Sequence, residues 1–225
     1  MNKVLTRGGL FATVRSKYVS KVSVQKVEHT TTTPQDLCEP IQKSIVKRLP
    51  WLIILLFLGT GVSATVSLFE SIVAQLPIIM CFQSLILDMA GNVGTQSLAV
   101  AIRVLMNSDV SAKKKLYLIL KECNVGLING AILGILSFVA IGAYLCIAGH
   151  NTSYAFSISM CLGIAMVVAM AISSCAGTII PVLFQKIGID PAVASGPLIT
   201  TVNDMVAVVT YYGLSWLILI HIMHL

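Results

Sequence analysis

Charge is what this 225-residue chain has least of: Lys, Arg, Asp and Glu make up only 11% of it. Soluble domains carry about 25%. Hydrophobic residues account for 56%, and a water-soluble globule with so few ionisable side chains could not keep its surface wetted. The soluble enzyme classes are therefore set aside at the start. Acids are scarcer than bases, nine against 15, for a net charge of +6. That excess is not a nucleic-acid footprint. Nine of the bases precede residue 50, five lie between Arg103 and Lys121, and the last is Lys186, the clustering of cytoplasmic segments in a membrane protein. Ligand-like cysteine spacing is also missing. The six cysteines, at 38, 81, 123, 146, 161 and 175, include no C-x-x-C and read as small apolar packing residues. There is no low-complexity tract and no internal repeat.

What the chain does have is a succession of apolar stretches long enough to cross a bilayer, which takes about 20 residues of helix. The expected fold is all-α and integral to the membrane, with a basic tail over residues 1–50 and a five-span domain over 51–225. Residues 1–26 carry six bases and no acid; they lack the apolar core of a secretory signal and read as a cytoplasmic tail. A short helix at 35–49 is expected on the membrane surface, with Lys43, Lys47 and Arg48 toward lipid headgroups. The spans are expected at 51–69, 72–106, 116–148, 153–184 and 191–223, with breaks or kinks at Pro77, Pro181 and the Gly196-Pro197 pair. Lys113, Lys114, Lys115 and Lys186 mark cytoplasmic loops, while the opposite segments have no Lys or Arg. Five spans with that asymmetry put the N-terminus in the cytoplasm and the C-terminus outside. An odd span count leaves no complete inverted repeat in one chain, so a symmetric functional unit needs a second copy.

Ionisable groups inside spans are costly, about 2.5–3.5 kcal/mol at a helix centre on insertion scales, and are functional by default. Asp88 and Arg103 fall in the second span and Asp204 in the fifth; Glu70, Lys121, Glu122 and Asp190 fall near span ends, within reach of water. At about 100° per residue, Asp88, Gly91, Asn92, Thr95, Gln96 and Arg103 share one face about 140° wide, opposite Ala90, Val93 and Val100. Asn92 or Gln96 alone would read as helix–helix glue, with Gly91 and Gly94 permitting close backbone approach. The stripe as a whole reads as a water-lined path, because packing does not require so many polar groups on one side. Arg103 lies about 22 Å along the helix from Asp88, too far to neutralise it, and reads as an anchor at the cytoplasmic end. In the fifth span Thr200, Asp204, Ala207 and Tyr211 align, flanked by Asn203, again with oxygens and no fixed cation. A neutral, hydrogen-bonded Asp204 is the structural alternative to an ion ligand. Oxygen ligands and one or two carboxylates suit hydrated Mg²⁺, whereas zinc or copper would call for His and Cys placed together. His221 and His224 are neighbours but read as interfacial.

The stretch LDMAGNVGTQSLAVAIR, residues 87–103, resembles the second-helix signature of the MgtE magnesium transporters. GTIIPVLFQKIGIDPAVASGPLITTVND, residues 177–204, and KRLPWLIILLFLG, at the entry to the first span, are similar too. The resemblance covers about residues 45–225. It implies a homodimeric Mg²⁺ channel in the cytoplasmic membrane, with a pore at the subunit interface lined by spans two and five. On that resemblance Asp204 binds the hydrated ion and Asn92 lines the pore, with further positions at Gly91, Gly94, Thr95 and Gln96. Asp190 matches an acid at the cytoplasmic end of span five, and Glu70 one near the outer mouth. Full-length members of the family carry an N-terminal helical domain and paired CBS domains that 50 residues cannot contain. The expectation is therefore a transmembrane domain that is ungated, regulated by a separate subunit, or cut short in its reading frame.

Three other functions compete with a passive channel: a Na⁺- or H⁺-coupled Mg²⁺ exchanger on the same fold, a non-conducting accessory subunit, and an intramembrane aspartyl protease using Asp88 and Asp204. The last needs a close carboxyl dyad and has no Gly-x-Gly-Asp near Asp204, so the expectation is a transporter and not an enzyme. Sequence does not separate Mg²⁺ from Mn²⁺, Co²⁺ or Ni²⁺. The expected partners are lipid, a second copy and the divalent ion.

Overall fold

The computed structural model describes residues 40–106, 110–188 and 196–222. Every regular element among them is helical: α1 (Ile41–Ser67), α2 (Glu70–Gln75), α3 (Ile78–Leu105), α4 (Ala112–Ile147), α5 (Thr152–Lys186) and α6 (Gly196–Ser215), which widens into a π-helical segment at Trp216–Ile222. Five of these helices, all but the six-residue α2, are long and apolar enough to cross a membrane. The chain is thus a multi-pass, all-α membrane protein.

Several boundaries differ from the sequence reading, each for a local reason. The surface helix expected at 35–49 and the first span are one continuous helix from Ile41, which carries Pro50 inside it; residues 35–39 lie outside the described set. The second span does not begin at residue 72. Glu70–Gln75 form a separate short helix, and Pro77 marks the expected break, as the N-cap of α3. Proline is tolerated there because the first N–H groups of a helix have no intrahelical acceptor. The Gly196-Pro197 pair likewise opens α6, with Pro197 in its first turn. Pro181 does lie inside α5, leaving the Gly177 carbonyl without its usual intrahelical donor.

Lipid tails are as apolar as leucine, so helices in a bilayer associate through close packing and polar contacts rather than hydrophobic burial. α5 is the central helix: 61% of its apolar window is buried, against 0–39% in the other four. Its contact with α4 is a glycine seam. A Cβ on Gly134 would lie 2.7 Å from the Gly163 carbonyl oxygen, and one on Gly163 would lie 2.8 Å from that of Gly134. Gly126 meets Ser174, and Gly130 meets the Val167 backbone, along the same stripe. Cys123 and Cys175 are paired as a disulfide across this seam, with Cα atoms 4.9 Å apart. This corrects the reading of those two cysteines as packing residues. Cys81, Cys146 and Cys161 are free.

α3 and α6 are fastened to each other near one end. The Tyr211 hydroxyl donates to the Ile79 carbonyl at 2.8 Å, and the Tyr212 hydroxyl donates to Gln83 Oε1 at 2.6 Å. Tyr212 also stacks on Phe69, ring centres 5.6 Å apart. At the other end of α3, Gln185 Nε2 from α5 donates to the terminal Leu105 carbonyl at 3.1 Å, supplying a partner that the helix end lacks.

Candidate ion-binding cleft

α3 and α6 enclose a cleft of about 450 Å³ lined by Ser84, Leu87, Asp88, Gly91, Asn92, Thr95, Thr200 and Asp204. Helical geometry explains the α3 contribution, since positions 84, 88, 91, 92 and 95 recur at three- and four-residue spacing on one face. The α6 contribution follows in the same way from Thr200 and Asp204, one turn apart. Gly91 brings the two helices together. A Cβ there would sit 3.5 Å from Thr200 Cγ2 and 4.0 Å from Asp204 Oδ1, so the carboxylate of Asp204 lies against bare α3 backbone.

The cleft contains two carboxylates and no Lys or Arg. Among the described residues, the side chains of Asp88, Asn92 and Asp204 make no hydrogen bond or ion pair. Asp88 and Asn92 are exposed and Asp204 is half-buried. The Thr95 hydroxyl turns back on its own helix, 3.0 Å from the Gly91 carbonyl and 2.9 Å from that of Asn92, which commits its hydrogen and leaves its lone pairs available. The arrangement offers oxygen donors of the kind a hard cation takes. No group of three or more His, Cys, Asp or Glu side chains occurs among the described residues, so a bare metal ion has no preformed cage here. A cation held in this cleft would keep most of its water.

The residues singled out by sequence separate into three sets. Asp88, Gly91, Asn92, Thr95, Thr200 and Asp204 come together in the cleft. Gln96 does not; with Asn92, Asn129 and Met170 it lines a second cavity of about 270 Å³ on the α4 side of α3. Gly94, Asn203 and Ala207 are buried inside the helix packing instead of facing the cleft. A Cβ on Gly94 would overlap the Asn203 carboxamide, and one on Gly177 would overlap the Gly94 carbonyl, so α3, α5 and α6 meet here at backbone distance. Neither polar atom of the Asn203 amide has a partner among the described residues. Glu70 is exposed at the start of α2. Asp190 and His224 lie outside the described residues.

Sequence reasoning missed Ser84, which continues the Asp88 stripe one turn earlier, and Asn129, which has no polar neighbours in sequence to flag it. It also misplaced Glu122. That residue lies ten residues into α4 with its side chain 6% exposed, not within reach of water as expected.

A family model described as a divalent cation transporter, MgtE, matches residues 83–214, the stretch that contains both walls of the cleft. The chain belongs to the MgtE family. It is 42% identical over 181 residues to the magnesium transporter MgtE of Enterococcus faecalis, a match covering 80% of this chain and 38% of that protein. The Bacillus subtilis magnesium transporter MgtE is 37% identical over 169 residues, covering 75% and 36%. That of Thermus thermophilus is 29% identical over 172 residues, covering 76% and 36%. The chain thus matches less than two-fifths of the length of these MgtE relatives.

Proposed function

We propose that this chain transports Mg²⁺ across the membrane, as one half of a homodimer whose pore is formed where two α3–α6 clefts face each other. The observation that carries the reading is the cleft itself. Two carboxylates and an asparagine lie on the surface of a helix bundle in a span region, with no cation beside them. Facing lipid, such groups are expensive; facing a second copy across a water-filled gap, they are hydrated and opposed to passing cations. Spans two and five, here α3 and α6, line the path, and the two copies of Asp204 bind the hydrated ion. Asp88, Asn92, Thr95 and Thr200 contribute oxygens beside it.

The dimensions suit an ion that retains its water. Six waters at about 30 Å³ each occupy about 180 Å³, which one cleft of about 450 Å³ accommodates. Mg²⁺ dehydrates reluctantly and is commonly held through one or two carboxylates with several waters retained, so selection acts on the hydrated ion. On this reading the chain lies in the cytoplasmic membrane with its N-terminus toward the cytoplasm and Glu70 toward the outer mouth.

The test is Mg²⁺ flux into proteoliposomes containing the purified chain, under an imposed membrane potential and with no other ion gradient. Flux that Asp204→Asn abolishes without dissociating the dimer supports the channel. Flux that requires a Na⁺ or H⁺ gradient replaces it with an exchanger. A folded, dimeric chain that passes no ion under either condition replaces it with an accessory subunit.

A further inference from the structure

The polar stripe of α3 does not run straight along the helix. Each four-residue step overshoots a full turn, so from Asp88 through Asn92 to Gln96 the stripe climbs about 12 Å while turning about 80° around the axis. Asp88 lines the cleft beside α6, Asn92 lines both the cleft and the second cavity, and Gln96 lines the second cavity alone. The stripe therefore passes from the α6 side of α3 to the α4 side. There it meets Asn129, midway along α4.

Among the described residues, the side-chain amides of Asn92, Gln96 and Asn129 make no hydrogen bond. Amides that hold membrane helices together bond across the interface; these three converge on a cavity instead. Asn92 and Gln96 are exposed and Asn129 is half-buried, so each is open to whatever fills the space. Hydrocarbon offers an amide neither donor nor acceptor, and no Lys, Arg, Asp or Glu lines the cavity to hold a bare ion. The matching occupant is water, or an ion still wrapped in it. The water ligands of a divalent cation donate hydrogen bonds outward, and three amide oxygens accept them. Six waters occupy about 180 Å³, within the cavity volume of about 270 Å³.

Building on the transport reading above, we propose that this cavity is a second binding site for the hydrated divalent cation, with Asn129 bringing α4 into the ion path. Conduction needs sites that an ion enters and also leaves, and it proceeds between neighbouring sites. The carboxylates of the cleft supply the attraction. The neutral amide oxygens hold the same hydrated ion more loosely, reaching about two helical turns along α3 from Asp88. Asn92 faces both spaces and is the crossing point between them.

The experiment is cysteine labelling of the purified full chain in lipid, with the cysteines outside the bridge, at 38, 81, 146 and 161, replaced by alanine. Asn129→Cys is compared with Ile128→Cys, a neighbour at the same depth that is 59% exposed and does not line the cavity. A charged, membrane-impermeant thiosulfonate should label position 129 at least about tenfold faster, because the thiolate reacts and apolar surroundings keep a thiol protonated. Mg²⁺ at about ten times its Kd should slow that labelling about tenfold by mass action, where K⁺ at equal ionic strength does not. The slowing should persist in Asp204→Asn, which removes the carboxylate of the cleft. Labelling as slow as at position 128 overturns the proposal, since lipid then fills the cavity. So does fast labelling that Mg²⁺ leaves unchanged, or slowing that vanishes with Asp204→Asn. Gln96→Cys, on the opposite wall and exposed, must give the same pattern, so the result does not hang on how one variant folds. Protection is read at equilibrium and separates this site from the transport reading: protection in a chain that passes no ion keeps the site and removes the transport, and Asp204-dependent flux without protection does the reverse.

Discussion

Two glycines three residues apart on α3 should respond to the same substitution in opposite ways. Gly91→Ala places a methyl at ordinary contact distance, 3.5 Å from Thr200 Cγ2 and 4.0 Å from Asp204 Oδ1. It also removes the helix-interior penalty of glycine, about 1 kcal/mol, so stability should be unchanged or raised by up to that amount. Gly94→Ala drives a methyl into the Asn203 side chain, with Cγ 2.7 Å and Oδ1 3.0 Å away. Asn203 is fully buried, so its amide has no open space to rotate into, and α6 must shift. Overpacking of this kind costs about 1–3 kcal/mol or more, which outweighs the propensity gain. Gly177→Ala should be worse, because its methyl meets the backbone of Gly94 rather than a side chain. The assay is thermal melting of the purified protein in detergent, followed by dispersity on size exclusion. The expected order of stability is Gly91→Ala, then Gly94→Ala, then Gly177→Ala. A Gly177→Ala protein that melts with the parent chain would refute the three-helix junction and the placement of Asp204 built upon it.

Other substitutions test the remaining contacts. Asp204→Asn should reduce Mg²⁺ flux at least a hundredfold: a carboxylate about 4 Å from a divalent ion contributes about 2 kcal/mol even at the dielectric constant of bulk water, and a dimer loses two. Asp88→Asn, at a more exposed position than Asp204, should reduce flux less in the same liposome assay. Tyr211→Phe removes the buried donor to the Ile79 carbonyl and should lower stability by about 1 kcal/mol, read as an earlier melting transition. Gly134→Ala should destabilise by about 2 kcal/mol, since its methyl meets the Gly163 carbonyl and overpacking is destabilising. Reducing the Cys123–Cys175 bridge, which closes a 52-residue separation, should lower melting stability by at most about 4 kcal/mol on the chain-entropy estimate.

The span count and the polar stripe of α3 were legible because both depend on local periodicity. Asp88, Gly91, Asn92 and Thr95 lie on one face of any α-helix, whatever surrounds it. What the helical wheel does not contain is the neighbour. Gln96 lies about 40° from Asn92 by rotation, and that step is enough to turn it from the α6 side to the α4 side. Gly94 and Asn203 carried the same polar and small-residue signature as the cleft positions, but the rotation between α3, α5 and α6 buries them together. Glu122 was misread for a different reason. Its depth depends on where α4 begins, and the lysines at 113–115, taken as a loop, are the first turn of that helix. The Cys123–Cys175 pair needed the register of α4 against α5, which no spacing of cysteines in the sequence encodes.

The packing and the chemistry of this protein draw on the same residues. Without a hydrophobic drive between helices, fixed geometry must come from close approach, and glycines supply it: Gly134 against Gly163 and Gly177 against Gly94 at backbone distance, and Gly91 against the Asp204 side chain. The first pair makes α4 and α5 a single rigid body. The second docks α3 on that body, and the third brings a carboxylate to the surface of α3. A substitution that loosens the first contact therefore propagates toward the cleft, although Gly134 does not line it. Stability and ion affinity should accordingly fall together for substitutions along the glycine seam, and separately for Asp204→Asn, which changes the charge of the cleft and none of its contacts between backbones.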